Sequence, residues 1–139
     1  MQTQRQFNAM VKKAYLQYVS NYAETEYANS VLWNKYQRHN ERIGYTKYSY
    51  YLNSSVPFIS RALRSYIDNV MMQHADKKEA PYMIRLRLLL DMYEKKQQYY
   101  ELLHQYQQHK ITYDDPTLRQ LHTDYNNTCN MFEQQKKVK

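Results

Sequence analysis

Glycine is almost missing from this chain: its 139 residues include one, Gly44, and only three prolines. Hairpin turns and β-bulges draw on glycine's access to positive φ, so this scarcity argues against a sheet-rich fold and favours helices. A phosphate-cradling glycine loop cannot be built from a single glycine. Cysteine is equally scarce. The lone Cys129 excludes an internal disulfide and any zinc site made mainly of thiolates, and it reads as a small apolar residue on a helix face. No apolar run approaches the ~18 residues of a membrane span, and the stretch around Leu88 to Leu90 is broken by charges, so no transmembrane helix is expected. Aliphatic bulk is short as well. Leu, Ile, Val and Phe together number 26, about 19% of the chain, near the level at which a charged chain cannot build a large core alone.

What the chain has instead is tyrosine, 17 residues of it, and a net charge of +7. Tyrosine and methionine supply contact surface where aliphatics are few, so part of the stabilising burial is expected against partners. A basic balance suits nucleic acid, an anionic membrane surface or acidic protein partners. Residues 1–23 hold no acid, while Phe7, Met10, Val11, Ala14, Tyr15, Tyr18, Val19 and Tyr22 recur at helical spacing. Amphipathic, basic and acid-poor also describes a mitochondrial transit peptide, and with Met1 at the start such a signal would be retained.

The periodicity predicts an all-α fold of about four amphipathic helices. The first continues or restarts through Tyr27, Val31, Leu32 and Tyr36 and fades near Asn40, with Trp33 as a packing residue. Gly44 is read as a left-handed helix stop. Residues 45–55 read as a non-helical, tyrosine-rich connection. Ser55 and Pro57 announce a second helix, with Ile59, Ala62, Leu63, Tyr66, Ile67, Val70, Met71 and His74 on one face. The third and longest opens on Asp76 and Glu79 at capping-box spacing, then Pro81. Its stripe is Tyr82, Leu86, Leu89, Leu90, Tyr93 and Tyr100, with Arg85, Arg87, Glu94, Lys95 and Lys96 outside it. Asp115 can cap a last helix that starts at Pro116 and carries Leu118, Leu121, Tyr125, Cys129 and Phe132.

Catalytic constellations do not emerge. Among the five histidines, His104 and His109 lack helical ligand spacing and a completing carboxylate, so no metal, no cofactor and no active site is expected. Basic residues interleaved with aromatics could bind single-stranded RNA, but acids are interspersed along the last two helices and no RNA-binding signature is present, so no nucleic acid is expected.

Four landmarks in order resemble one family, the 14-kilodalton subunit of ubiquinol–cytochrome c reductase (mitochondrial complex III). They are Trp33 ahead of Arg42-Ile43-Gly44; Ala62-Leu63-Arg64; Met83-Ile84-Arg85-Leu86-Arg87 with Leu90-Asp91-Met92; and Tyr113-Asp114-Asp115-Pro116-Thr117-Leu118. The spacing from Met83 to Pro116 matches the family's without a gap. The resemblance covers residues 30–125 of a single subunit, flanked by an amphipathic extension (1–29) and a basic tail (126–139). This chain departs from the family in having extra residues before Met83, no proline near Tyr100, and a longer N-terminus, so its long helix should run on unbroken.

The resemblance implies a non-catalytic structural and assembly subunit. It would be peripheral on the matrix side of the mitochondrial inner membrane, an obligate member of a hetero-oligomer, packed against cytochrome b and the core subunits. Trp33, Gly44, Arg85, Leu86, Arg87, Asp91, Asp115 and Pro116 are its expected structural and docking positions. The alternatives are an RNA-binding component of the mitochondrial ribosome and a helical accessory subunit of another respiratory complex such as complex I.

Overall fold

Three helix starts in this chain are written in short side chains that reach back to the backbone, and the other two carry a proline in the first turn. A computed structural model describes residues 3–136. Thr3 opens α1 (Gln4–Arg42): its hydroxyl accepts from the Gln6 amide (3.1 Å) while the Gln6 side chain accepts from the Thr3 amide (2.9 Å). Two of the four orphan N–H groups are thereby paired. Thr46 and Ser49 repeat the arrangement at the start of α2 (Lys47–Leu52). At α5 (Pro116–Lys136), Asp115 Oδ1 accepts from the amides of Thr117 (2.9 Å) and Leu118 (3.2 Å), as its place before Pro116 predicts. The remaining helices are α3 (Val56–Gln73) and α4 (Pro81–Gln107). No strand occurs among the described residues, and no helix there is long and apolar enough to cross a membrane.

Three expectations about boundaries need correction. The tyrosine-rich connection is not irregular throughout, because the Thr46–Ser49 box nucleates α2 inside it. Asp76 and Glu79 do not form a capping box: Asp76 lies in a 3₁₀ turn (Ala75–Lys77), and α4 starts after Ala80. Pro81 is the cause, since a residue before proline is driven out of the α region and Ala80 sits at ψ 140°. The divisions at 29 and 126 fall inside helices. Residues 4–29 belong to α1 and bury Phe7, Val11 and Tyr15, while 126–136 continue α5 and bury Thr128 and Phe132. The last three residues of the expected tail lie outside the described residues.

The four long helices run alternately up and down. Tyr15 lies against Tyr82, and Tyr22 against Tyr93, so α1 and α4 are parallel. Phe7 on His74 with Tyr18 on Tyr66 makes α1 and α3 antiparallel, and Asp91 with Thr128 and Tyr99 with His122 do the same for α4 and α5. Short α2 seats across the far end, placing Tyr48 and Tyr51 on Tyr100. Helix α4 touches all the others. Its Met83, Leu86, Leu89, Leu90 and Tyr93 form the middle of one core with Val56, Leu63, Ile67 and Val70 of α3. No break interrupts α4, in keeping with the missing proline near Tyr100.

Both longest helices end in the same hydrogen-bond pattern with different residues at its left-handed position. After α1, Gly44 (φ 95°) donates to the Glu41 carbonyl and Tyr45 to that of Asn40. After α4, His109 (φ 62°) donates to Tyr106 and Lys110 to Gln105. A Cβ at positive φ costs roughly 1 kcal/mol. His109→Gly should therefore stabilise the chain by about 0.5–1 kcal/mol, and Gly44→Ala should destabilise it by about 1 kcal/mol. Denaturant midpoints of the two variants check the opposite signs, and equal shifts would refute the helix-stop reading.

Candidate functional site

A lysine ends up inside the bundle. Lys96 follows Tyr93 by three residues and precedes Tyr100 by four, so it belongs to the stripe that carries both. In the structure it is 9% exposed, contrary to its expected place outside the stripe. Its Nζ donates to Glu26 Oε1 of α1 at 2.5 Å and to the Tyr22 hydroxyl at 3.5 Å. Tyr51 of α2 donates to the same Glu26 oxygen at 2.9 Å. The rings of Tyr51, Tyr100 and Tyr22 surround the ammonium at 4.9, 5.3 and 5.8 Å from their centroids. A buried charge is tolerated only when paired and hydrogen-bonded. Carboxylate, phenols and ring faces together meet that demand.

The tyrosines register the enclosure. Burial raises Tyr22, Tyr51, Tyr93 and Tyr125 above the usual phenol value, with the Glu26 carboxylate adding to the shift at each of the four. Tyr100 is pushed up to about 12 by burial first and by Glu26 second. At neutral pH the phenols of this knot stay protonated. Its effect is to lock α1, α2 and α4 together.

The eight positions singled out in the sequence are spread along the bundle. Trp33 is buried against Tyr50 (5.5 Å) and Gly44 stops α1. Arg85 lies over the rings of Tyr82 (4.8 Å) and Tyr15 (6.0 Å). Arg87 donates to the Lys78 carbonyl (2.5 Å) and faces Glu79 (3.8 Å), holding the approach to α4. Asp91 accepts from Lys95 and from Thr128 of α5 (3.3 Å). Asp115 and Pro116 begin α5. Leu86 is fully buried in the chain's own core, so it is not an outward docking residue. These residues fix helix ends and helix pairs; Trp33 and Gly44 border one open cavity, and the other six do not line it.

Large apolar side chains outside the core are where a partner could gain. Phe58 (68% exposed) and Met72 (83%) stand on α3, and Met131 on α5. On α1 the expected stripe does not stay inward past Tyr22: Tyr27, Val31, Leu32 and Tyr36 are exposed. The helix departs from helical φ/ψ at Tyr36 (−112°, 19°). No group of three or more potential metal ligands lies together among the described residues. Comparison with protein-family models, curated proteins and solved structures finds no match to this chain. The resemblance to the complex III subunit therefore rests on its own four landmarks.

Two predictions follow from the buried lysine. Lys96→Ala leaves Glu26 uncompensated and should cost about 3 kcal/mol, whereas Lys95→Ala, removing a partly exposed pair one residue away, should cost under about 0.5 kcal/mol. Chemical unfolding of the two variants checks the contrast, and equal losses would refute the knot. For pH, the fold holds phenols neutral that an unfolded chain ionises near 10.0. Their contribution is intact below that value and is lost as pH rises through about 12, where Tyr100 titrates. Tyrosinate absorbance of the native chain should lag that of the urea-unfolded chain, and superimposable curves would contradict the enclosure.

Proposed function

We propose that this chain is a structural, non-catalytic subunit of the mitochondrial ubiquinol–cytochrome c reductase, peripheral on the matrix side and packed against cytochrome b and the core subunits. The observation that carries the partner dependence is the surface. The chain presents 9295 Å² to solvent for 17.1 kDa, whereas a compact monomer of that mass presents roughly 7,800 Å². Exposed Phe58, Met72 and Met131 are part of this surplus, and burying such side chains against partner helices would recover transfer free energy. The family itself is supported by the motifs from Trp33 to Leu118. Several of their residues act at helix ends or between helices here: Gly44, Arg87, Asp91 and Asp115. In such a complex, electron transfer belongs to cofactors held by other subunits.

A second reading, an RNA-binding component of the mitochondrial ribosome, is favoured by one feature. Tyr27, Val31, Lys35, Arg38 and Arg42 recur at three- and four-residue steps on α1, all exposed. The two readings part on salt. Phosphate contacts release counterions, so RNA binding falls log-linearly with salt. Apolar contacts and desolvated charges are screened far less. In detergent the chain should stay with cytochrome b at roughly several hundred millimolar salt, enough to strip phosphate contacts. Phe58→Asp with Met72→Asp should leave the fold intact and cut incorporation, while Lys95→Ala should not. Retention on ribosomal RNA, with complex III intact in the chain's absence, would overturn the proposal.

A further inference from the structure

Between the middle of α1 and the α2–α3 connection lies an open cleft of about 540 Å³, distinct from the Lys96 knot. Leu32 lines it from α1, and Tyr45 and Tyr50 from the other side. The two tyrosine rings meet nearly at right angles, 85° apart with centroids at 6.4 Å. The polar lining of the cleft carries one charge, the Glu24 carboxylate, among neutral amides and the hydroxyls of Thr25, Ser54 and Ser55. Glu24 is at its edge, with only the Ser20 hydroxyl (3.5 Å) donating to it and no ion pair among the described residues. Asn29 Oδ1 is shielded from solvent and has no hydrogen-bond partner. Asn53 uses its amide nitrogen on the Ser49 carbonyl (2.8 Å), which leaves its oxygen as the free end. No lysine or arginine is among the lining residues, in a chain of net charge +7.

A carboxylate beside tyrosine rings is also what Lys96 meets at Glu26, less than one turn further along α1; in the cleft no cation of this chain is present among the lining residues. We propose that this cleft receives an arginine side chain from a partner polypeptide. Guanidinium suits the lining: its plane stacks on a tyrosine while its N–H fork reaches Glu24 and the Asn53 oxygen. A quaternary ammonium, as in a choline headgroup, has no N–H to donate to either. Phosphate groups of RNA or lipid would meet Glu24 with like charge. The inference goes beyond membership of complex III and holds for any partner that offers the side chain.

The test uses the full chain, with N-acetylarginine amide as probe and nuclear magnetic resonance as readout. The probe should shift the Asn29 side-chain amide and the Tyr45 and Tyr50 signals. N-acetylcitrulline amide, the uncharged isostere, and choline should each bind about tenfold more weakly, and Glu24→Gln should weaken the arginine probe by a similar factor, as loss of a charge-assisted hydrogen bond predicts. Equal binding of citrulline or choline, or no shift at these residues, overturns the proposal. A second arm reads the assembled state: benzoylphenylalanine in place of Leu32, photolysed in native membranes, should cross-link a peptide whose arginine, once changed to alanine, abolishes the product. A cross-link to lipid, to RNA or to a segment without a cationic side chain, or no cross-link at all, overturns it equally. A partner outside complex III would refute the subunit assignment and leave the arginine cleft standing.

Discussion

The ion pair between Glu26 and Lys96 is the constraint around which the helices are arranged. One carboxylate oxygen takes both the ammonium and the Tyr51 hydroxyl, so three helices share a single acceptor. Taking two charges out of water costs several kcal/mol each, and their attraction repays this only with good geometry and added hydrogen bonds. That requirement accounts for the tyrosines. A leucine in place of Tyr22, Tyr51 or Tyr100 would fill space but would offer the ammonium no π face and the carboxylate no donor. The shortage of aliphatic residues and the abundance of tyrosine are two sides of this choice of core.

Around the knot, polar side chains bind neighbouring helices where aliphatic contact is thin. Gln97 donates to Ser60 between α4 and α3 (2.9 Å), and Thr128 to Asp91 between α5 and α4 (3.3 Å). Thr46 caps α2 and also bonds His104 Nδ1 of α4 (2.8 Å). Each such bond is worth only about 1 kcal/mol net, but leaving a buried partner unsatisfied costs more. Register between helices is thus fixed by pairing, whereas an apolar seam alone would tolerate sliding.

The parts legible in the sequence are those governed by local rules. The stripes of α3 and α4, the stop at Gly44 and the start at Asp115-Pro116 depend on spacing and on backbone chemistry within a turn, and all are present, except that Ala62 of the expected α3 stripe is exposed. The misreadings come from competition between local signals. Asp76 and Glu79 have capping spacing, but Pro81 sets the start more strongly; α2 was concealed because its capping pair, Thr46 and Ser49, sits among residues that also suit a loop. Lys96 was legible by period alone, three after Tyr93 and four before Tyr100, yet charge argued for solvent. Only its partner settles the matter, and Glu26 is 70 positions away. The cleft is of the same kind: Glu24, Asn29 and Tyr50 are unremarkable until α2 folds back onto α1.

That sequence distance has a consequence for how the chain is made. The α4–α5 hairpin closes over a short connection, and the entropy of closing a loop grows with its length. Helix α1 leaves the ribosome first, yet its carboxylate has no cation to meet until residue 96 has been synthesised. Until α4 is available Tyr15 and Tyr22 lack their ring partners Tyr82 and Tyr93, and apolar surface exposed in this way is what chaperones hold and what aggregates when they do not. A nascent chain stalled before Lys96 would hold α1 with α3 as a packing partner and with the Glu26 carboxylate still lacking its cation.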